Sequence, residues 1–208
     1  TAFALGDLDG DGHLDLVYAE ATTPAIHLMR GQGDGTFLAG PSATVGAAPG
    51  DLVLSDFDLD GRIDVATSNA SGRSISVVPL RTDGTFGATR TLPLGVEPRY
   101  LTAGDVNGDG RPDLVTGSGR VLLSRCDGTF SALSAEPFSP NSGAQVRLSD
   151  VRGDGHPALA MRLAGSFHVY PHRGPAGTTP CADLLQAHAR YAAGQVTAVT
   201  RNGRPLAL

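Results

Sequence analysis

The sequence has no lysine and no tryptophan, and only three glutamates, two cysteines and four tyrosines in 208 residues. With every one of the 16 basic residues an arginine and a net charge of −5, there is no basic footprint for nucleic acid. Tyr18, Tyr100, Tyr170 and Tyr191 recur at no common position, so a set of aromatic platforms for stacking sugars is missing. No apolar run approaches the ~18 residues of a membrane span, and Thr1-Ala2-Phe3-Ala4-Leu5 carries neither a basic n-region nor a cleavage motif. The expectation is a soluble, already processed segment with no membrane span. Cys126 and Cys181 fit either one disulfide in an oxidising compartment or two free thiols, and spacing does not decide between them.

Glycine and aspartate fill the gap. The 28 Gly and 14 Pro exclude long uninterrupted helices and predict many turns, while 40% hydrophobic residues and a mean hydropathy of −0.05 allow a real core. Of the 21 acids 18 are Asp, with Glu only at Glu20, Glu97 and Glu136. Helices favour glutamate; aspartate belongs to turns, caps and hard-cation sites, so the skew points to loops built on short carboxylates.

Those loops repeat. Asp7-Leu8-Asp9-Gly10-Asp11-Gly12-His13-Leu14-Asp15 recurs from Asp56 to Asp64 and from Asp105 to Asp113, with an eroded fourth copy from Asp150 to Ala158. The starts are 49, 49 and 45 residues apart, the length of one four-stranded propeller blade. A second signature keeps the period: Asp-Gly-Thr-Phe at 34–37, 83–86 and 127–130. Short β-rich runs between these landmarks give four strands per unit, so the fold class is all-β, a β-propeller of four-stranded blades with four repeats visible. The blades are assigned to 1–43, 44–93, 94–137 and 138–174, together 1–174, with a non-blade tail at 175–208. Phe37, Phe86 and Phe130 are expected to plug the interfaces between blades.

Asp at loop positions 1, 3, 5 and 9 with Gly at position 6 suits a tight wrap of carboxylates around a hard cation. The candidate ligands are Asp7, Asp9, Asp11 and Asp15; Asp56, Asp58, Asp60 and Asp64; and Asp105, Asn107, Asp109 and Asp113. His13, Arg62 and Arg111 would add a backbone carbonyl each, with their side chains pointing outward. Oxygen ligands without a His or Cys side chain select Ca²⁺ over a transition metal, giving about three sites. Position 12, where an EF-hand loop has a bidentate Glu, is Tyr18, Thr67 or Thr116, so these are not EF-hands. In the fourth copy only Asp150 and Asp154 remain, Arg152 stands at a ligand position and Ala158 replaces the closing ligand, so no metal is expected there.

Gly104-Asp105-Val106-Asn107-Gly108-Asp109-Gly110-Arg111-Pro112-Asp113-Leu114-Val115, with Asp83-Gly84-Thr85-Phe86 in the preceding turn, resembles the FG-GAP/VCBS repeat of integrin α-subunit heads and many secreted bacterial proteins. The resemblance covers about Thr1 to Gly174. It implies a Ca²⁺-stabilised, extracellular (secreted or cell-surface) propeller of seven or eight blades, serving adhesion, protein or glycan binding, or domain packing. Four copies leave two open edges, which implies further blades from a longer parent chain or self-association.

In the tail, residues 182–194 read as a short helix and 195–206 as a hairpin turned on Asn202-Gly203. Tyr191 to Arg204 also resembles one YD/Rhs-type repeat of bacterial toxin shells. The six histidines are scattered over blade strands, loops and tail, and no nucleophile elbow accompanies them, so catalysis is not expected. The sequence reading is a non-catalytic adhesion or protein-docking scaffold, with two alternatives: an accessory segment of a larger secreted enzyme or toxin, and a lectin.

Overall fold

The structure, a computed structural model, describes residues 2–125, 128–132, 145–150, 157–163, 166–170, 200–201 and 204–205. Among these there are strands and turns and no helix. The first sheet is β1 (Ala2–Gly6), β2 (Asp15–Ala19), β3 (Ala25–Gly31) and β4 (Phe37–Thr44). The second is β5 (Pro49–Ser55), β6 (Asp64–Asn69), β7 (Ser74–Val78) and β8 (Arg90–Pro93), and the third is β9 (Leu101–Gly104), β10 (Asp113–Thr116), β11 (Val121–Ser124) and β12 (Phe130–Ala132). The fourth shows β13 (Gln145–Ser149), β14 (Ala158–Leu163) and β15 (Ser166–Tyr170). Every sheet is an antiparallel meander in chain order.

Alternation along the strands explains how the sheets stack. Side chains of a strand point to opposite faces in turn. In β6, Val65 joins Val17, Ile26 and Leu28 of the first sheet. Its neighbour Ala66 joins Leu101, Leu114 and Leu122 of the third. The second sheet is therefore covered on both faces, and every residue of β6 and β7 is buried. Val115 and Val121 in turn pack with Val146, Leu159 and Met161 of the fourth sheet. Face-to-face stacking of successive meanders is the architecture of a propeller arc.

The first sheet is covered on one face only. Phe3 and Leu5 on its other face are 68% and 52% exposed. Phe3 stands opposite Tyr18, and Tyr18 opposite His27, with the Tyr18 and His27 rings stacked 5.0 Å apart. This exposure also corrects the packing role expected of Phe37, which is 38% exposed at the head of β4. Phe86 is buried between the first two sheets, and Phe130 packs edge-on against Phe57.

Short β16 (Thr200–Arg201) and β17 (Arg204–Pro205) pair antiparallel. The turn between them, the expected helix at 182–194, both cysteines, and Arg152 and Asp154 of the fourth loop lie outside the described residues. No helix among the described residues is long and apolar enough to cross a membrane.

Candidate metal centres

Each acidic loop connects the first strand of a sheet to the second, so all three lie at the same end of successive sheets. The first aspartate is the spindle of its loop. Asp7 accepts the amides of Gly10 (2.8 Å) and Gly12 (2.9 Å). Asp56 accepts those of Asp60 (3.1 Å) and Gly61 (2.9 Å). Asp105 accepts Gly108 and Gly110, each at 2.7 Å. A chain wound this tightly needs positive φ at position 6, which Gly12, Gly61 and Gly110 supply at +88°, +85° and +80°. Position 4 also turns left-handed. There the second loop carries Leu59 at φ +58°, where the other two carry Gly10 and Gly108.

The last aspartate closes the loop from below. Asp15, Asp64 and Asp113 are buried to 1% exposure or less. Their Oδ2 atoms accept the amides of Leu8, Phe57 and Val106 at 3.0 to 3.1 Å. Their Oδ1 atoms accept the amides of Gly31, Leu80 and Ser124, at or just beyond the end of the third strand, at 2.9 to 3.1 Å. Ligation alone was expected of this position; the structure adds a clamp between two connections of one sheet. In the fourth sheet Ala158 occupies the same register, opposite Ser149 as Asp64 is opposite Ser55, and offers no carboxylate.

Carboxylate oxygens of Asp7, Asp9 and Asp15, and of Asp56, Asp58 and Asp64, lie within 4.8 Å of one another in each set, close enough for one ion. The fifth position stands differently. Asp11, Asp60 and Asp109 accept the backbone amides of His13, Arg62 and Arg111 at 2.8 to 3.0 Å. They also pair with the side chains of those residues: His13 at 3.3 Å, Arg111 at 2.6 Å, and Arg62. The expected outward orientation of these three side chains is thus not what is seen: each turns onto the carboxylate two residues back. Asn107 of the third loop turns its amide onto Asp109 at 2.9 Å, and its loop forms no such triad of acids among the described residues.

The electrostatics of the second loop suit a bound cation. Asp58 Oδ1 is buried without a hydrogen-bond partner. Burial first, then the charges of Asp60 and Asp56, raise its carboxyl above the usual range. Asp64 is pushed up to about 7, chiefly by burial and further by Asp58 and Asp60, although two amides oppose the shift. Asp113 rises to about 6 for the same reason, with Asp109 and Asp105 as its acidic neighbours. Hard oxygen ligands, a buried orphan oxygen and unneutralised acids together fit a dication.

The position missed in the sequence is the second. Leu8, Phe57 and Val106 are buried, and each packs in the cluster shared with the following sheet. Ser124 Oγ of the third sheet also donates to the Phe57 carbonyl at 3.0 Å. A regular apolar residue between two acids was the available signal. Each loop is therefore also a seam between neighbouring sheets.

A profile of the FG-GAP-like repeat matches residues 7–67 and 56–116, two overlapping windows that each begin at one acidic loop and run through the next. Among solved structures, the chain is similar to an Agrocybe aegerita lectin that recognises non-reducing terminal N-acetylglucosamine. The TM-score is 0.53 at 24% identity, over 79% of this chain and 50% of the lectin. It is also similar to BBS1N, solved in complex with ARL6DN, with a TM-score of 0.55 at 14% identity, over 82% of this chain and 51% of that one. At these identities the likeness is one of fold, and the chain spans about half the length of either structure. No curated protein sequence matches the chain.

Proposed function

Since the chain belongs to the FG-GAP-like repeat family, we propose that it is a non-catalytic, calcium-stabilised propeller segment acting outside the cell as a scaffold for adhesion or for protein or glycan binding. The observation that carries this reading is the placement of its acids. Two carboxylate triads converge on single points at one end of adjacent sheets. Each closing aspartate is tied into the sheet by its own backbone acceptors. Acids used in this way hold loops and ions, and are withdrawn from acid–base chemistry. The hydroxyl–imidazole contact between Ser42 and His27, 2.7 Å on the open face of the first sheet, is read as packing, since that imidazole stacks on Tyr18.

In this reading Ca²⁺ is held by Asp7, Asp9, Asp11 and Asp15, by Asp56, Asp58, Asp60 and Asp64, and by Asp105, Asn107, Asp109 and Asp113, with carbonyls from His13, Arg62 and Arg111. The ion supplies charge neutralisation and cross-linking of each loop, and no step of a reaction. The blades remain assigned to 1–43, 44–93, 94–137 and 138–174, followed by the tail at 175–208.

Two measurements test the proposal. Calorimetric titration with CaCl₂ is expected to find about three ions per chain; fewer than two sinks the calcium assignment. Capture on immobilised glycans and extracellular proteins is expected to need calcium. Capture that survives EDTA, or none on any surface, sinks the scaffold reading.

A further inference from the structure

The third residue of the first and second loops stands where its sheet meets the next unit's Asp-Gly-Thr-Phe turn, and at the first of these seams an arginine joins the two. Arg30 reaches out of β3 with both ends of its fork engaged. Nη1 donates to Asp9 Oδ2 at 3.1 Å and Nη2 donates to the Gly84 carbonyl at 2.8 Å. Gly84, at φ +71°, is the glycine of the second unit's turn, and a Cβ there would collide with the guanidinium. One side chain thus joins the first loop, the third strand of its own sheet and the turn of the following sheet. A guanidinium keeps its charge at any pH a folded protein meets, so this link does not titrate away.

The second seam is built on the same junction, reached by an arginine from a different strand. A Cβ on Gly128 would meet the guanidinium of Arg90, from β8, at 2.5 Å and Asp58 Cβ at 3.1 Å, so again the loop's third aspartate and an arginine meet the glycine of the next turn. Yet Asp58 Oδ1 is buried and has no hydrogen-bond partner. At the place in the second and third units that corresponds to Arg30, one residue before the amide clamped by the closing aspartate, stand Pro79 and Leu123.

We infer that Arg30 is a positioning residue that stands in for a cation at the first seam: it holds loop and turn together without an ion and weakens the first loop's hold on Ca²⁺. The inference rests on the calcium reading above. A fixed positive charge on a ligand carboxylate opposes an incoming dication. Because Arg30 and Asp9 are 34% and 21% exposed, water moderates the opposition, and an effect of roughly three- to tenfold in affinity is expected.

The test is a CaCl₂ titration of the 208-residue chain followed by amide NMR. Gly12 and Gly61 report the first and second loops separately, since their amides donate to Asp7 and Asp56. Arg30→Gln should lower the Gly12 midpoint by roughly three- to tenfold, leave Gly61 in place, and in EDTA speed hydrogen exchange at Gly84 and Thr85. Arg30→Lys keeps the charge and loses the fork. It should leave the Gly12 midpoint within about twofold while exchange still quickens. A Gly12 midpoint that stays or rises in Arg30→Gln, or falls equally in Arg30→Lys, overturns the inference while Gly61 still titrates and the calcium reading stands. If neither glycine responds to millimolar calcium, the calcium reading fails and this inference with it.

Discussion

Asp64 Oδ1 accepts the backbone amide of Leu80, sixteen residues further on, at 3.1 Å, while its Oδ2 accepts that of Phe57 at 3.1 Å. All three groups are buried, so the carboxylate has a structural duty that does not depend on any ion. Asp64→Ala leaves two buried amides unpaired and is expected to lower stability by roughly 2–5 kcal/mol. Urea unfolding should show this loss in EDTA as well as in calcium. Asp60→Ala, at a more exposed position, should cost most of its stability only where calcium is present. Equal losses for both variants in EDTA would show that the closing position has no separate role.

The same burial sets a pH dependence. The folded-state values of about 7 for Asp64 and about 6 for Asp113 lie above the ordinary 3.8. The folded chain therefore retains protons that the unfolded chain has already lost, and stability falls as pH rises from about 4 to about 7. On the calcium reading the ion takes the ionised carboxylates, so its presence should reverse that slope. Urea midpoints at pH 5 and pH 7.5 are the measurement. In EDTA the midpoint is expected to be higher at pH 5, in calcium higher at pH 7.5, and parallel behaviour in both buffers would contradict the account.

Leu59 sits at φ +58° and 49% exposed, in the place that Gly10 and Gly108 fill in the other loops. A left-handed conformation costs a residue with a Cβ about 1 kcal/mol or more, whereas glycine adopts it freely. Leu59→Gly should accordingly raise the melting temperature, and a lowered one would mean that the leucine side chain has a contact worth more than the strain.

Phe86 and Phe37 hold the same place in their turns and differ in cover, at 8% and 38% exposure. Phe86→Ala opens the core between the first two sheets and is expected to cost about 3–5 kcal/mol, near the usual range for a buried phenylalanine. Phe37→Ala should fall within about 1 kcal/mol of the unaltered chain. Denaturant unfolding of the two variants side by side decides.

The open face of the first sheet offers Phe3 and Leu5 to solvent beside Tyr18 and His27. Its register matches that of Leu52, Leu54, Val65 and Thr67, which the second sheet turns toward the first. Another sheet of the same kind is the natural cover, from further blades or a second copy. Light scattering on the 208-residue chain should show association that Phe3→Ser with Leu5→Ser weakens. A monomer with no hydrophobic-dye binding would exclude this role for the face.

Much of this molecule could be read from linear spacing. The loops, their period and the four-strand meander are set by residues near in sequence, since the first acid of each loop gathers amides three to five residues on and alternation patterns the strands on either side. The contacts that escaped are those that register decides. Nothing in the sequence pairs Asp15 with Gly31 or Asp113 with Ser124, because the distance between them varies with the intervening turns. His13, Arg62 and Arg111 looked like outward decorations, yet each found the carboxylate two residues back. Arg30 gave no signal, because no arginine recurs at its place in the repeat: the guanidinium beside Gly128 comes from Arg90 in another strand.

Each of the three acidic loops closes on its own sheet through its last aspartate and leans on the next through its second residue, the first two through their third as well. A gene that gained or lost one 49-residue period would therefore gain or lose a complete joint, fastener included. Length can change by duplication without any surface being redesigned, and the heritable module of this architecture is the connection between sheets rather than the sheet itself.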